Sequence, residues 1–327
     1  MAEQDFETLA EQIRQHFADA TYQEGIALAS KELPNHPDEY TLINYWRMCF
    51  AARLNQFDLT NKIFESVLAS GIWLSDAVLR QSPSLEGIQG NEDFEKLAKI
   101  SEKLREADGG DVPLLISRPA TACQPGEEGC PLFFFLHGNL DTAQNNLQHW
   151  SHLAFEGWIV AVPQSSWGMW TGAYGWTTYE LTRQENLRHY DNLTEQYSLD
   201  DDRLLLGGFS MGGGYALEMI LNGELPVRGF ILLGPAGGII DEVDEMAPSE
   251  WWEKLVGGWR EDLRGVILMG EADQTIPQEK IRKLVEMLNA AGIATQLRTF
   301  PGLAHEYPPD FESVADQAVD FIFSQDA

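Results

Sequence analysis

The later part of the 327-residue chain carries short, unbroken apolar runs such as LFFFL, FILL and VILM. Runs of this length are typical of strands that helices cover on both faces of a parallel sheet. Helical patterns lie between the runs, and the alternation predicts an α/β fold with a doubly wound, mostly parallel sheet. The predicted strands cover residues 114–117, 132–136, 159–163, 203–207, 229–233, 265–269 and 295–300. The predicted helices between them cover residues 144–155, 179–197, 212–221, 278–291 and 312–323.

The first part of the chain has a different pattern, in which apolar residues recur at helical spacing and β-rich runs are few. We therefore predict an all-helical domain over residues 1–108, with helices at 22–33, 39–54 and 57–70. Tyr22 and Phe57 each follow a short polar turn, and their spacing resembles a tetratricopeptide-type helical repeat. The resemblance leaves two interpretations open, a surface for a protein partner or a structural subdomain.

The segment ADGGDVP marks the boundary between the two patterns. Gly109, Gly110 and Pro113 interrupt the last helix of the first part, because glycine and proline both disfavour helix continuation. The α/β domain is therefore predicted over residues 109–327.

The chain is strongly acidic, with 51 Asp and Glu residues against 22 Lys and Arg residues and a formal net charge of −29. This charge repels phosphate backbones and anionic lipid headgroups, so we predict neither nucleic acid nor membrane partners. The first residues, MAEQDFETLAEQIRQ, lack the basic start and apolar run of a signal peptide, and no stretch is apolar for long enough to span a bilayer. A cytoplasmic location is the resulting prediction.

The chain has three cysteines, Cys49, Cys123 and Cys130, which are too few for a disulfide framework. Cys123 and Cys130 are near enough in sequence to close a small loop in an oxidising compartment. Because the predicted location is cytoplasmic, we expect all three to be free thiols.

The sequence LLLGGFSMGGG contains the pattern G-x-S-x-G at Gly208, Ser210 and Gly212, between a predicted strand and a predicted helix. In a nucleophile elbow the serine takes a strained backbone conformation, and the residues two before and two after it pass so closely that side chains there would clash. Glycine at 208 and 212 meets that demand. The alternative interpretation is an ordinary strand-to-helix turn, but the flanking elements favour Ser210 as a nucleophile.

A serine hydroxyl needs a general base that a carboxylate orients. Asp273 lies in GEADQTIP after one predicted strand, and His305 lies in GLAHEYPPD after the next. Because such sheets gather their sites at the carboxyl ends of strands, we expect Ser210, Asp273 and His305 to converge. Glu271 is the alternative carboxylate. The remaining histidines outside the turn described next are expected to be solvated or packed in the core, namely His16, His36, His149, His152 and His189.

The turn HGNLDT follows the strand that contains LFFFL. Acyl transfer develops an oxyanion that needs prealigned hydrogen-bond donors, and we assign these to the backbone N–H groups of Asn139 and Met211. Asp141 and Thr142 are expected to start the next helix. His137 ends the strand and precedes Ser210 in the chain, so we expect it to shape the turn rather than to transfer a proton.

The segments LHGNLDT, GFSMGG, GEADQTIP and GLAHEYPPD, in this order, resemble the phospholipase/carboxylesterase branch of the α/β-hydrolases, and dienelactone-hydrolase-type enzymes are similar. The resemblance spans about residues 114–323. It implies a triad of Ser210, Asp273 and His305 that hydrolyses carboxylic esters or thioesters without a metal or cofactor. The sequence departs from the family pattern at Leu140, where many members have a second glycine, and at Ile276, where valine is more common.

The aromatic segment SSWGMWTGAYGWTTY either frames a pocket for the substrate or packs in the core, and both interpretations stay open. Its candidate substrate-binding residues are Trp167, Trp170, Tyr174 and Trp176. The predicted partner is a small-molecule ester. A protein partner or a second copy of the chain on the helical domain stays open beside the structural interpretation of that domain. Two other functions remain open: a serine peptidase or amidase with the same triad, and a non-catalytic adaptor that binds partners through the helical domain.

Overall fold

The computed structural model describes residues 6–108, 113–120, 123 and 129–324. It divides the chain into two compact units, one of which is helical and the other of which contains the sheet. Among the described residues, the helical unit takes in 6–108 and also Gly168–Gly172, whereas the sheet unit takes in those from 113 to 167 and from 173 to 324. The short segment 168–172 therefore belongs to the helical unit, although it is flanked in sequence by residues of the sheet unit.

The helical unit confirms the all-helical prediction for the first part of the chain. Its three predicted helices agree with the observed ones to within one residue at each end. Phe50, fully buried, lies at its core with Leu9, Ile13 and Ile43, and the ring of Phe17 stacks on Phe50 at 3.9 Å between centroids. The α-helices are α1 (Phe6–Ala18), α2 (Tyr22–Glu32), α3 (Tyr40–Arg53), α4 (Phe57–Ala69), α5 (Asp76–Gln81) and α6 (Glu92–Asp108).

A short extended pairing within the same unit involves the segment Gly168–Gly172. Leu74 and Trp170 form an isolated antiparallel bridge. The N–H of Trp73 donates to the hydroxyl of Thr171 at 3.0 Å, and the N–H of Thr171 donates to the carbonyl of Trp73 at 3.2 Å. Trp170 is therefore bound into the helical unit, and the ring of Tyr45 lies 6.0 Å from its own.

The sheet unit confirms the predicted α/β fold. In the described part of the chain, seven strands form one sheet in the order β1-β3-β2-β6-β7-β8-β9, and β1 is antiparallel to β3 while the other pairs are parallel. These strands are β1 (Leu114–Ser117), β2 (Cys130–Leu136), β3 (Ile159–Pro163), β6 (Leu199–Phe209), β7 (Gly229–Leu233), β8 (Arg264–Gly270) and β9 (Ala294–Phe300). The sequence analysis did not predict the separate pair β4 (Trp167–Trp170) and β5 (Ala173–Gly175).

Helices cover both faces of the sheet, as the unbroken apolar strands predicted. Alternate residues of β2 point to opposite faces, so Phe133 and Phe135 pack in one core while Phe134 and Leu136 pack in the other. The first core contains residues of α7 and α12, and the second contains residues of α8, α9 and α11. The helices of this unit are α7 (Ala143–Trp150), α8 (Tyr179–Gln196), α9 (Ser210–Leu221), α10 (Pro248–Glu253), α11 (Gln278–Ala290) and α12 (Phe311–Phe323).

The prediction of three free thiols was wrong for two of them. Cys123 and Cys130 form a disulfide with a Cα–Cα distance of 5.4 Å, a separation that suits such a bond, while Cys49 is free and buried. The pairing depends on the path of the chain before β2, which sequence spacing does not specify. None of the described helices is both long and apolar enough to cross a membrane.

Candidate active site

The backbone at Ser210 has the geometry of a nucleophile elbow. Strand β6 runs directly into helix α9, and Ser210 is the first residue of that helix, with a left-handed φ of +51°. A Cβ atom at Gly208 would lie within 3 Å of the backbone of Gly212, and one at Gly212 would lie within 3 Å of the carbonyl oxygen of His137. Both glycines are thus required by close backbone approach, as the sequence pattern indicated.

Asp273 and His305 form a hydrogen-bonded pair on neighbouring loops. Asp273 follows β8 and His305 follows β9, and Nδ1 of His305 lies 2.7 Å from Oδ2 of Asp273. The other carboxylate oxygen of Asp273 accepts from the N–H groups of Thr275 and Ile276, at 2.8 and 2.9 Å. Burial raises the pKa of Asp273, but the hydrogen bond from His305 and those two N–H groups outweigh it and lower the pKa overall.

The carboxylate of Glu271, the alternative partner, is directed elsewhere. Its Oε1 accepts from the hydroxyl of Thr299 at 2.9 Å, and its side chain is exposed. The bond from His305 goes to Asp273 instead. The geometry therefore favours Asp273 as the residue that orients the imidazole.

Two residues that the sequence analysis missed also contact this pair. Gly234 follows β7 with a φ of +45°, and a Cβ atom there would lie 2.9 Å from Cε1 of His305 and 3.4 Å from Oδ2 of Asp273. The ring of Phe209 stacks on the imidazole of His305 at 4.8 Å between centroids. Because Phe209 directly precedes Ser210, the imidazole packs on the neighbour of the serine. The glycine in LLGPAGG, directly after a strand, was the available signal for Gly234.

The turn after β2 packs against the elbow. A Cβ atom at Gly138 would lie 2.8 Å from Cδ1 of Phe209 and 3.5 Å from Cβ of Ser210. Asn139 is exposed at the tip of the turn, and Leu140 has a left-handed φ of +60°. The hydroxyl of Thr142 caps α7 by accepting from the N–H of Asn145 at 3.1 Å. The expected helix start after Thr142 is confirmed, and Met211 lies at the second position of α9.

His137 is fully buried at the start of this turn and bonded through both ring nitrogens. Its Nδ1 lies 2.7 Å from the carbonyl oxygen of Gly138. Its Nε2 accepts from the N–H of Ser165 at 3.1 Å and lies 3.0 Å from Nε2 of Gln164. Burial lowers the pKa of His137 to about 4, so the ring is neutral near pH 7.

Part of the sheet unit matches a known protein family. The family model described as Phospholipase/Carboxylesterase matches residues 180–320, a range that includes Ser210, Asp273 and His305. The predicted resemblance to this family is confirmed over the matched range. The match to the phospholipase/carboxylesterase family does not extend to the turn at 137–140, so the candidate donor Asn139 lies outside it.

Individual relatives are distant. Acyl-protein thioesterase 1 of Gibberella zeae is 25% identical over 128 residues, and the match covers 38% of this chain and 51% of that protein. The chain thus spans about half the length of this curated relative.

Solved structures that share the fold include the following two. That of an uncharacterized protein from Bacillus cereus aligns with a TM-score of 0.52 at 20% identity, over 98% of this chain and 99% of that one. That of esterase PE8 aligns with a TM-score of 0.52 at 17% identity, over 65% and 99%.

The four candidate substrate-binding aromatic residues have different surroundings. Trp176 is 5% exposed, and its indole N–H donates to the carbonyl oxygen of His137 at 2.8 Å. The backbone of Tyr174 pairs with that of Asp141, and Trp170 belongs to the helical unit. Trp167 and Trp176 both line a cavity of about 570 Å³ beside α8. This cavity therefore offers room for a ligand beside two of the four residues.

Proposed function

We propose that this protein is a serine esterase that hydrolyses carboxylic esters, thioesters included, through an acyl-enzyme intermediate. The observation that carries the proposal is the hydrogen bond between Asp273 and His305, whose imidazole stacks on Phe209 beside the elbow serine. Ser210 is the proposed nucleophile, His305 the general base and Asp273 the residue that orients it. The match to the phospholipase/carboxylesterase family over 180–320 supports ester hydrolysis.

The proposed mechanism begins with the tautomer of His305. Because the carboxylate of Asp273 is ionised and can only accept, Nδ1 of His305 carries a proton and Nε2 is the ring nitrogen that can accept one. Nε2 takes the proton of the Ser210 hydroxyl as the oxygen attacks the ester carbonyl. The imidazolium then gives that proton to the departing alcohol or thiol, and water hydrolyses the acyl group by the same two steps.

The charge that develops on the carbonyl oxygen requires donors that are already in place. The proposed donors are the backbone N–H groups of Asn139 and Met211, each worth about 3 kcal/mol by analogy with single donors in other acyl-transfer sites. Met211 lies in the first turn of α9, where N–H groups have no partner within the helix and the helix dipole favours negative charge.

The proposed substrate is a small-molecule ester with an apolar or aromatic group. Its proposed contacts are Trp167 and Trp176, which line the cavity beside α8. Trp170 and Tyr174, the other two candidates from the sequence, stay predictions. The thioesterase relative supports thioesters as a second leaving-group class. A protein partner or a second copy on the helical unit stays a prediction, as does the cytoplasmic location, which the disulfide between Cys123 and Cys130 does not favour.

The first test is turnover of p-nitrophenyl acetate by the full chain. Ser210→Ala should reduce kcat by about a million-fold, as deletion of a triad nucleophile does elsewhere. Ser313→Ala, which alters an exposed serine in α12, is the matched control and should behave as the wild type. Normal turnover by Ser210→Ala would exclude Ser210 as the nucleophile.

Two further measurements separate the alternatives. Hydrolysis of p-nitrophenyl esters without hydrolysis of peptide anilides would support an esterase over a peptidase or amidase, whereas the reverse preference would support the amidase. A wild type that turns over neither substrate and does not react with a fluorophosphonate would favour the adaptor. The acid limb of the rate profile should be lost in His305→Ala, and a limb that survives unchanged would point to another base.

A further inference from the structure

His137 occupies a buried polar network that the proposed mechanism does not use. Besides the two ring nitrogens, its backbone carbonyl also has a partner, the indole N–H of Trp176 at 2.8 Å. The ring of Trp176 also stacks on the imidazole of His137 at 4.9 Å between centroids. Both ring nitrogens of His137, one face of its ring and its main-chain carbonyl therefore all have partners.

Gln164 fixes both the tautomer of His137 and the far end of the turn. Its Oε1 accepts from the N–H of Ala143, the first residue of α7, at 2.9 Å, so its NH₂ group faces Nε2 of His137. Nε2 of His137 is therefore an acceptor, and Nδ1 carries the proton that is donated to the carbonyl of Gly138. A single side chain thereby connects residue 137 to residue 143, the two ends of the turn.

The same segment lies against the elbow. A Cβ atom at Gly212 would come within 3 Å of the carbonyl oxygens of Leu136 and His137. Gly138 likewise faces Phe209 and Ser210. The segment that contains His137 therefore lies against the first turn of α9, where Ser210 and the proposed donor Met211 are found.

We propose that His137 is a positioning residue, which Gln164 and Trp176 hold in place so that the N–H of Asn139 stays directed at the developing oxyanion. This inference rests on the proposed function and deepens it. Both ring nitrogens are engaged within the protein, so His137 takes no part in proton transfer. Donors of this kind are effective only when they are held rigidly, and an error of about 1 Å can cost on the order of 100-fold in rate.

The test compares two buried indoles in the sheet unit that make the same type of bond. Trp176 donates to the carbonyl of His137, and Trp251, fully buried, donates to the carbonyl of Ile239, both at 2.8 Å. Trp176→Phe and Trp251→Phe each remove one such bond and keep an aromatic ring. Both should lose similar stability, but only Trp176→Phe should lower kcat, by about 10- to 100-fold.

The inhibition constant Ki of phenylboronic acid is a second measurement, which should not change if Trp176 only stabilises the fold. Phenylboronic acid adds to an active serine and mimics the tetrahedral intermediate, so its Ki should rise in Trp176→Phe by the same factor as kcat falls. Gln164→Met, which removes the bond to His137 and keeps the length of the side chain, is the second variant should Trp176→Phe not fold. It should show the same paired change.

Equal kcat values, within about twofold, for Trp176→Phe and Trp251→Phe would overturn the inference. So would a fall in kcat without a matching change in Ki. In either case, continued dependence of ester turnover on Ser210 would leave the proposed function standing. If the wild type itself fails to turn over esters, the proposed function fails, and the positioning role falls with it.

Discussion

The elbow at Ser210 and the turn that begins at His137 lie against each other, yet the sequence specifies them in opposite ways. The elbow depends on missing side chains, because Gly208 and Gly212 stand where any Cβ atom would meet backbone. The turn depends on side chains that are present, since His137 is held by Gln164 and Trp176. The glycines of the elbow lie within five consecutive residues, 208–212. The side chains that hold the turn come from three separate segments, at residues 137, 164 and 176. A local motif therefore reveals the elbow but not what holds the turn.

The largest expected effect on stability comes from a substitution in the elbow. Gly212→Ala places a methyl group against the carbonyl oxygens of Leu136, the last residue of the inner strand β2, and of His137, which follows it. Neither can move cheaply, so we expect a loss of about 4 kcal/mol or more in the free energy of unfolding. Urea denaturation followed by tryptophan fluorescence measures it.

The control for that substitution is Gly87→Ala in the helical unit. A Cβ atom at Gly87 meets nothing within 4 Å, and its backbone is not left-handed, so a change below about 1 kcal/mol is expected. Equal destabilisation by the two substitutions would show that close approach does not explain Gly212.

Gly234 is a third position where a missing side chain matters, since it lies against the hydrogen-bonded pair of Asp273 and His305. Gly234→Ala should displace the imidazole of His305 and lower kcat by about 100-fold, because a Cβ atom there lies 2.9 Å from Cε1 of His305. Gly292→Ala imposes a comparable left-handed strain, at a φ of +87°, with nothing within 4 Å. Steady-state kinetics should find a defect only in Gly234→Ala. A normal kcat in that variant would mean that the pair tolerates displacement.

The smallest effect concerns the polar network of the turn. Burial lowers the pKa of His137 from 6.5 to about 4, so the unfolded chain binds a proton more readily than the folded one. Its contribution to stability is complete above about pH 6.5 and is lost as the pH falls towards 4, which amounts to about 2 kcal/mol at pH 5.

Thermal unfolding of the wild type and of His137→Gln between pH 7 and pH 5 measures this contribution. The variant should have the shallower dependence of Tm on pH, because it lacks the group that resists protonation in the folded state. Parallel curves for the two proteins would contradict a buried neutral imidazole at this position.

The sheet was predictable because its strands are apolar on both faces. β1, β3 and β7 begin and end where the pattern predicted, while β6 is longer, since Leu199 at its exposed end pairs with Cys130. The pair β4 and β5 was missed because its Trp and Gly residues follow neither a strand nor a helix period. Trp170 in β4 also pairs with Leu74, which lies almost a hundred residues earlier in the sequence.

Residues of the candidate site were predictable where they lie in the loop that follows a predicted strand. Asp273 and His305 come directly after β8 and β9, and parallel strands bring their carboxyl ends together. Gln164 was not predictable, because nothing in the sequence connects it to Ala143 or His137. Trp176 was expected at the substrate, but its bond to His137 accounts for its burial. Its role as a substrate contact remains a prediction.

The central claim is that the serine in the elbow is activated. The most direct measurement is reaction of the full chain with a fluorophosphonate, followed by mass spectrometry of the labelled peptide. We predict a single modification on Ser210, together with no labelling of Ser210→Ala and slow labelling of His305→Ala. Labelling of a different serine, or labelling of Ser210→Ala at the wild-type rate, would contradict the account.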